Sequence, residues 1–121
     1  MTPHRLMPLL LLIGVCLSQP ALAQVNPFRG SKDTPLSASD ISAINEATNR
    51  LLEKPQLVTG ASEPWTNAQS GAKGTAILGK TSQHKGLACR SVQYKATIPG
   101  PRPERSATLI WCKTKDGWRM L

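Results

Sequence analysis

Two cysteines placed symmetrically about a Pro-Gly-Pro bend constrain this chain more than any other feature. From Cys89 to Cys112 the sequence reads CRSVQYKATIPGPRPERSATLIWC. Facing residues of an antiparallel hairpin have numbers with a constant sum. A bend centred between Gly100 and Pro101 sets that sum at 201. Ile98 then faces Pro103, Tyr94 faces Ala107, Val92 faces Leu109, Arg90 faces Trp111 and Cys89 faces Cys112. Two cysteines opposite each other at a non-hydrogen-bonded pair lie close enough for a bridge. Val92, Tyr94, Thr97 and Ile98 on one arm, and Thr108 to Trp111 on the other, are strand formers. The prolines fall in the bend, where no ladder donor is needed. The spacing predicts a disulfide-clasped hairpin, provided the compartment is oxidising.

The N-terminus bears on the compartment. Residues 1–23, MTPHRLMPLLLLIGVCLSQPALA, have a basic start at Arg5, an apolar run from Leu9 to Leu17 and a small-residue exit at Ala21-Leu22-Ala23. This is the pattern of a secretory signal peptide. Its nine-residue apolar run falls short of the roughly 20 needed to span a bilayer. Cleavage is expected after Ala23, which removes Cys16 and leaves a chain beginning at Gln24. Val15 is not the small residue that a lipoprotein signal places before its cysteine. The expected product is an exported chain of 98 residues with two cysteines and no transmembrane segment. It lies in the periplasm or is associated with the outer membrane. An oxidising compartment favours the bridge. A 24-residue loop closed by it contributes about 3 kcal/mol through chain entropy.

Ninety-eight residues make one domain with a modest core. Residues 24–35 carry Pro, Gly and charge without periodicity and read as a flexible lead-in, with Phe28 as a candidate docking residue. Residues 36–121 read as a single domain. Ser37 is the expected N-cap of a helix over about 37–54, with Asp40 at the third helical position and staple spacing between Leu36 and Ile41. Ile41, Ile44, Ala47, Thr48, Leu51 and Leu52 share one face. Asn45, Glu46, Asn49, Arg50 and Glu53 fall mostly on the other, and Pro55 ends the helix.

A sheet is expected over about 65–121. A short strand at Leu57-Val58-Thr59 precedes it, and the sheet itself starts with strands at Trp65-Thr66-Asn67 and Gly74–Leu78. Gly79 to Gly86 reads as a polar loop holding His84, followed by the clasped hairpin. Asp116-Gly117 reads as a two-residue turn, which gives a final pairing sum of 233. In that register Ala88, Val92, Tyr94, Leu109, Trp111, Trp118 and Met120 share the face under the helix. The cysteines, Ile110 and Leu121 share the opposite face. Lys113 and Arg105 intrude at the rim of the core face, which suggests a bulge or slip. The fold class is α+β: one N-terminal helix packed on a small antiparallel sheet of 4–5 strands.

Several short motifs occur in order: Trp65-Thr66-Asn67, Ser70-Gly71, Gly74, Cys89-Arg90, Cys112-Lys113 and Asp116-Gly117-Trp118. Together they resemble the C-terminal domain of the bacterial seventeen-kilodalton surface-antigen family. That family pairs a W-x-N…S-G-x-x-G start with a C-R strand and a C…D-G-x-W end. The resemblance spans Trp65 to Leu121. It implies a cell-envelope protein, often outer-membrane associated, with no catalytic site to transfer. The chain departs from the pattern in two features, the lipoprotein cysteine and the glycine-zipper segment before the domain. The resemblance therefore does not extend to membrane anchoring.

No constellation for catalysis, cofactor or metal binding stands out. His84 is alone in a polar stretch, and no carboxylate pair has the spacing for acid–base work. Ser70-Gly71-x-x-Gly74 joins strands rather than opening a helix, which argues against a phosphate loop. Charge is more informative. Residues 65–121 hold ten Lys and Arg against two Asp and Glu, a net of +8, whereas residues 24–64 are at −1. Lys73, Lys80, Lys85, Arg90, Lys95 and Arg119 are the candidate anion-binding residues. Lysines also solubilise sheets and guard edges, and this register spreads the basic residues over both faces. The anions of an envelope are lipopolysaccharide phosphates, anionic lipids and cell-wall polymers; export argues against nucleic acid. The expected function is thus that of a non-catalytic, surface-antigen-like envelope protein, with its basic sheet domain as the anion-binding part. The alternative is a small periplasmic inhibitor of a hydrolase. Its commonest form, an inhibitor of a basic lysozyme, would be acidic.

Overall fold

A computed structural model describes residues 24–30 and 36–121, with Pro3 and Gly14 as isolated positions. The expected signal peptide and its cleavage site lie outside the described residues. The elements are α1 (Ala38–Leu52), β1 (Ser62–Thr66), β2 (Lys73–His84), β3 (Leu87–Thr97), β4 (Glu104–Thr114) and β5 (Gly117–Met120). The five strands form one antiparallel sheet in sequence order, and α1 packs against β1 and β2 at one side of it.

α1 begins where the capping chemistry dictates. Ser37 Oγ accepts from the Asp40 amide, and Asp40 Oδ2 accepts from the Ser37 amide at 3.0 Å, a reciprocal box. The Glu53 N–H closes the last turn on Asn49 O, two residues ahead of Pro55. A 15-residue helix is marginal alone in water. It is held by burying Ile44, Ala47, Leu51 and Leu52 against Trp65, Ala76, Leu78, Val92, Tyr94 and Ala96, with about 1.5–3 kcal/mol for each large aliphatic side chain. Arg50 and Lys54 pair with Glu63 at 3.3 and 3.1 Å and tie the helix end to β1.

The hairpin registers as its sequence implies. All β3–β4 partners sum to 201, from Cys89↔Cys112 to Thr97↔Glu104, and the Ile98 amide donates to Pro103 O across the bend. The cysteines are bonded, with Cα atoms 4.0 Å apart. Their side chains lie on the face away from α1, yet both are buried, flanked across the ladder by Ser82 and Arg119.

Several expectations are corrected. Residues 24–30 are not a loose lead-in. Asn45 Oδ1 accepts from the Val25 amide, Asn45 Nδ2 donates to Val25 O, and Phe28 is buried in the core. Asn45 therefore clamps the segment instead of lying on a solvated face. Leu57-Val58-Thr59 is not a strand, and β1 begins at Ser62 with Pro64 inside it. Proline is tolerated there because β1 is an edge strand. The polar stretch after Gly79 is not a loop. β2 continues to His84 and turns at Lys85-Gly86, where both residues have positive φ, 48° and 78°. Its last residues are exposed on both faces, so they carry no hydrophobic alternation to read. The irregularity expected near Arg105 and Lys113 lies instead in β2, between Leu78 and Thr81.

The β4–β5 pairing sums to 231 and not 233: Cys112 faces Arg119 and Trp111 faces Met120. Lys115 and Asp116 occupy the turn, and Gly117 follows it at φ 111°, a conformation glycine reaches without a Cβ penalty. A shift of two preserves the faces, so Trp118 and Met120 remain on the helix side. Met120 is nonetheless 48% exposed, and Ala88 is exposed too. A 15-residue helix is about 22 Å long, while strands of 11 and 12 residues run to about 36–40 Å. The β4–β5 end of the helix-side face lies beyond its cover.

Candidate functional site

The motif residues at the start of the sheet form a structural node. Asp40 is 1% exposed. With one oxygen engaged in the helix cap, its Oδ1 accepts from Asn67 Nδ2 at 2.7 Å and from Ser70 Oγ. Asn67 also donates to Ser39 Oγ, and its own Oδ1 accepts from the Gln69 amide. Ser70 Oγ accepts from the Ala72 amide, and Gly71 completes the turn at φ 76°. Burial pushes the Asp40 carboxyl upward, but hydrogen bonds from Ser70, the Ser37 backbone, Asn67 and the Ser37 hydroxyl outweigh it and hold its pKa below the usual carboxylate value. A carboxylate so fully bonded is an anchor between helix and turn rather than a proton donor.

Trp65 and Gly74 are cross-strand partners. A Cβ on Gly74 would run into the Lys95 carbonyl and lie 2.8 Å from the Trp65 ring. The glycine is the space in which the indole lies.

A second polar chain runs through the core. Trp111 Nε1 donates to Tyr94 Oη at 3.0 Å, and Thr48 Oγ1 donates to Ile44 O at 2.9 Å. That leaves the Tyr94 hydroxyl as donor to Thr48 Oγ1, 2.9 Å away. Burial pushes the Tyr94 phenol above its ordinary pKa, against the opposing effect of its two hydrogen bonds.

The candidate anion-binding residues do not form one patch. Lys73, Lys95 and Arg119 project from the face away from α1. Lys73 and Lys95 line a cleft of about 630 Å³ there, together with Thr75, Gln93, Glu104 and Ser106. Lys80 sits in the β2 irregularity and Lys85 in the following turn. Arg90 stands apart on the helix side, buried, where it faces Trp111 and Thr81. Its Nη2 donates to Leu57 O and Thr59 Oγ1, both at 3.3 Å. Beside it, a cleft of about 410 Å³ brings Leu57, Thr81, Gln83, Lys113 and Trp118 together. Asp116 lies in the turn at that end of the sheet, and Gly117 opens β5 after it.

Sequence reasoning did not foresee the second role of Asp40, whose partners lie 27 and 30 residues away. It treated Lys113 as an intrusion on the core face. The direct pairing of Lys113 with Trp118 follows from a turn one residue earlier than Asp-Gly suggests. Among the described residues, no group of three or more His, Cys, Asp or Glu is arranged to hold a metal ion, and no helix is long and apolar enough to cross a membrane. Comparison with protein-family models, curated proteins and solved structures finds no match.

Proposed function

We propose that the chain is a non-catalytic, exported cell-envelope protein of the surface-antigen type, and that its basic sheet domain binds anionic envelope components. The observation that carries this reading is the open sheet face away from α1. There Lys73 and Lys95 stand on strands whose other side is committed to the core, and Arg119 stands on the same face of β5. They belong to a segment with a net charge of +8. The interior polar groups support a non-catalytic role, since Asp40, Tyr94 and Thr48 spend their hydrogen bonds on holding elements together. The buried disulfide suits an oxidising compartment, and the surface-antigen resemblance points to the same place.

The test is co-sedimentation of the protein, purified from the envelope fraction of expressing cells, with lipopolysaccharide aggregates and with anionic phospholipid vesicles. Binding is expected at low ionic strength, with loss as salt shortens the Debye length to a few ångströms. Indifference to both at low ionic strength overturns the reading. Intact-mass measurement of the same material is expected to show a chain that begins at Gln24. Acylation at Cys16 or an uncleaved N-terminus overturns the export route.

A further inference from the structure

We propose that Arg90, Lys113 and Trp118 form a binding site for an oxyanion carried on an apolar body, a fatty carboxylate or a lipid phosphate. The site lies at the end of the helix-side sheet face that α1 leaves uncovered. The inference deepens the envelope-binding reading and rests on it for the ligand's source, but it stands on a different face from Lys73, Lys95 and Arg119.

The first observation is a buried cation with no carboxylate partner among the described residues. Arg90 is 8% exposed. Its Nε is shut off from solvent and meets no acceptor. Among the described residues, its bonds run through Nη2 alone, to one carbonyl and one hydroxyl, both neutral. The carboxylates of residues 36–121 are engaged or placed elsewhere. Asp40 is bonded to Ser37, Asn67 and Ser70, and Glu63 to Arg50 and Lys54. Glu104 lies at the far end of the hairpin, Glu46 and Glu53 are exposed on and just after α1, and Asp116 lies in the β4–β5 turn outside the cleft lining. A guanidinium withdrawn from water normally gains a carboxylate or phosphate in exchange, because desolvation is costly when uncompensated.

The second observation is the cleft itself. Arg90 lines a hollow of about 410 Å³, within the size range of small-ligand sites. Lys113 brings a second cation, and Thr81 brings a hydroxyl donor from the strand position facing Arg90. Among the described residues, no carboxylate lines the hollow. Leu57, Ala88 and Trp118 supply an apolar wall, with Trp118 paired directly to Lys113. Two cations and a hydroxyl in one hollow with an indole and aliphatic carbon match a ligand with a charged head and a hydrocarbon body. The guanidinium fork suits carboxylate or phosphate oxygens, and the lysine acts as a point charge beside it.

The experiment titrates the full exported protein with decanoate and, separately, with dihexanoyl phosphatidic acid below its aggregation threshold, at about 0.15 M salt. Readouts are calorimetry and the three tryptophan indole N–H resonances. Saturable binding of at least one probe is expected, with the Trp118 resonance shifting and that of Trp65 unmoved. Lys113→Gln is expected to weaken binding about tenfold, the loss of one charge-assisted contact. Glu46→Gln, exposed on α1 and outside the cleft, leaves it unchanged. Lys113 is exposed, so its replacement does not endanger the fold as Arg90→Gln does. Response to decanoate alone assigns the source to free fatty acids; response to the phosphatidic acid alone assigns it to phospholipid. Absence of saturable binding by both probes, or affinity unaltered in Lys113→Gln, overturns the site. Vesicle sedimentation that fails while the small probes still bind overturns the envelope-surface reading and leaves the site standing.

Discussion

Asn67 Nδ2 donates to Asp40 Oδ1 at 2.7 Å and so joins the β1–β2 turn to the first turn of the helix. The folded state holds the Asp40 pKa below its unfolded value, near 3.9. The carboxylate therefore contributes stability that is complete above that value and is lost as pH falls through the lower, folded pKa. Acid unfolding followed by circular dichroism is expected to steepen below about pH 4. Asp40→Asn is expected to cost about 1–3 kcal/mol at neutral pH and to flatten that acid limb. An acid limb unchanged in Asp40→Asn assigns the acid sensitivity to other carboxylates.

The pairing of Trp65 with Gly74 makes a size prediction. Gly74→Ala drives a methyl into the Lys95 carbonyl and the indole, with a cost of about 1–3 kcal/mol or more. Gly30→Ala, where a Cβ meets nothing within 4 Å, is expected to be near neutral. Equal melting temperatures for the two variants contradict the indole–glycine packing.

Tyr94→Phe removes the acceptor of Trp111 Nε1 and the donor to Thr48 together. Leaving a buried indole N–H unsatisfied costs about 1–3 kcal/mol. Thr48→Val combined with Tyr94→Phe is expected to cost less than the sum of the single changes, because the two share one bond. Additive losses in urea unfolding break the assigned chain.

The Cys89–Cys112 bridge is expected to be structural. Replacement of both by Ser is expected to lower stability by about 2–4 kcal/mol, a large share of a small domain's margin. Binding to anionic vesicles is expected to survive under mild conditions. Free-thiol labelling of both cysteines in native exported protein contradicts the bridge.

Local chemistry was legible in the linear sequence. The capping box at Ser37 and Asp40, the apolar helical stripe and the symmetric hairpin all depend on neighbours in sequence or on one numerical register. That is why the 201 pairing, the bridge and the α+β architecture follow from the sequence alone. The motif residues Trp65, Asn67, Ser70 and Gly74 were legible as a pattern, but their role was not. Whether they meet a ligand or each other depends on where α1 lands, and Asp40 meets Asn67 and Ser70 only because α1 packs beside the β1–β2 turn.

Tertiary packing alone decided the rest. The polar end of β2 has no alternation to read and becomes strand because β3 supplies its ladder. Asn45 looks solvated on a helical wheel and instead clamps Val25, a contact between segments 20 residues apart. The sequence shows Arg90 beside Cys89 with its charge. Its burial is set by the 55–61 connection folding over it, and the open cleft beside it by a helix too short to cover the sheet. Charge is a property of the chain, whereas desolvation is a property of the packed surroundings, and only the second turns a basic residue into a candidate site.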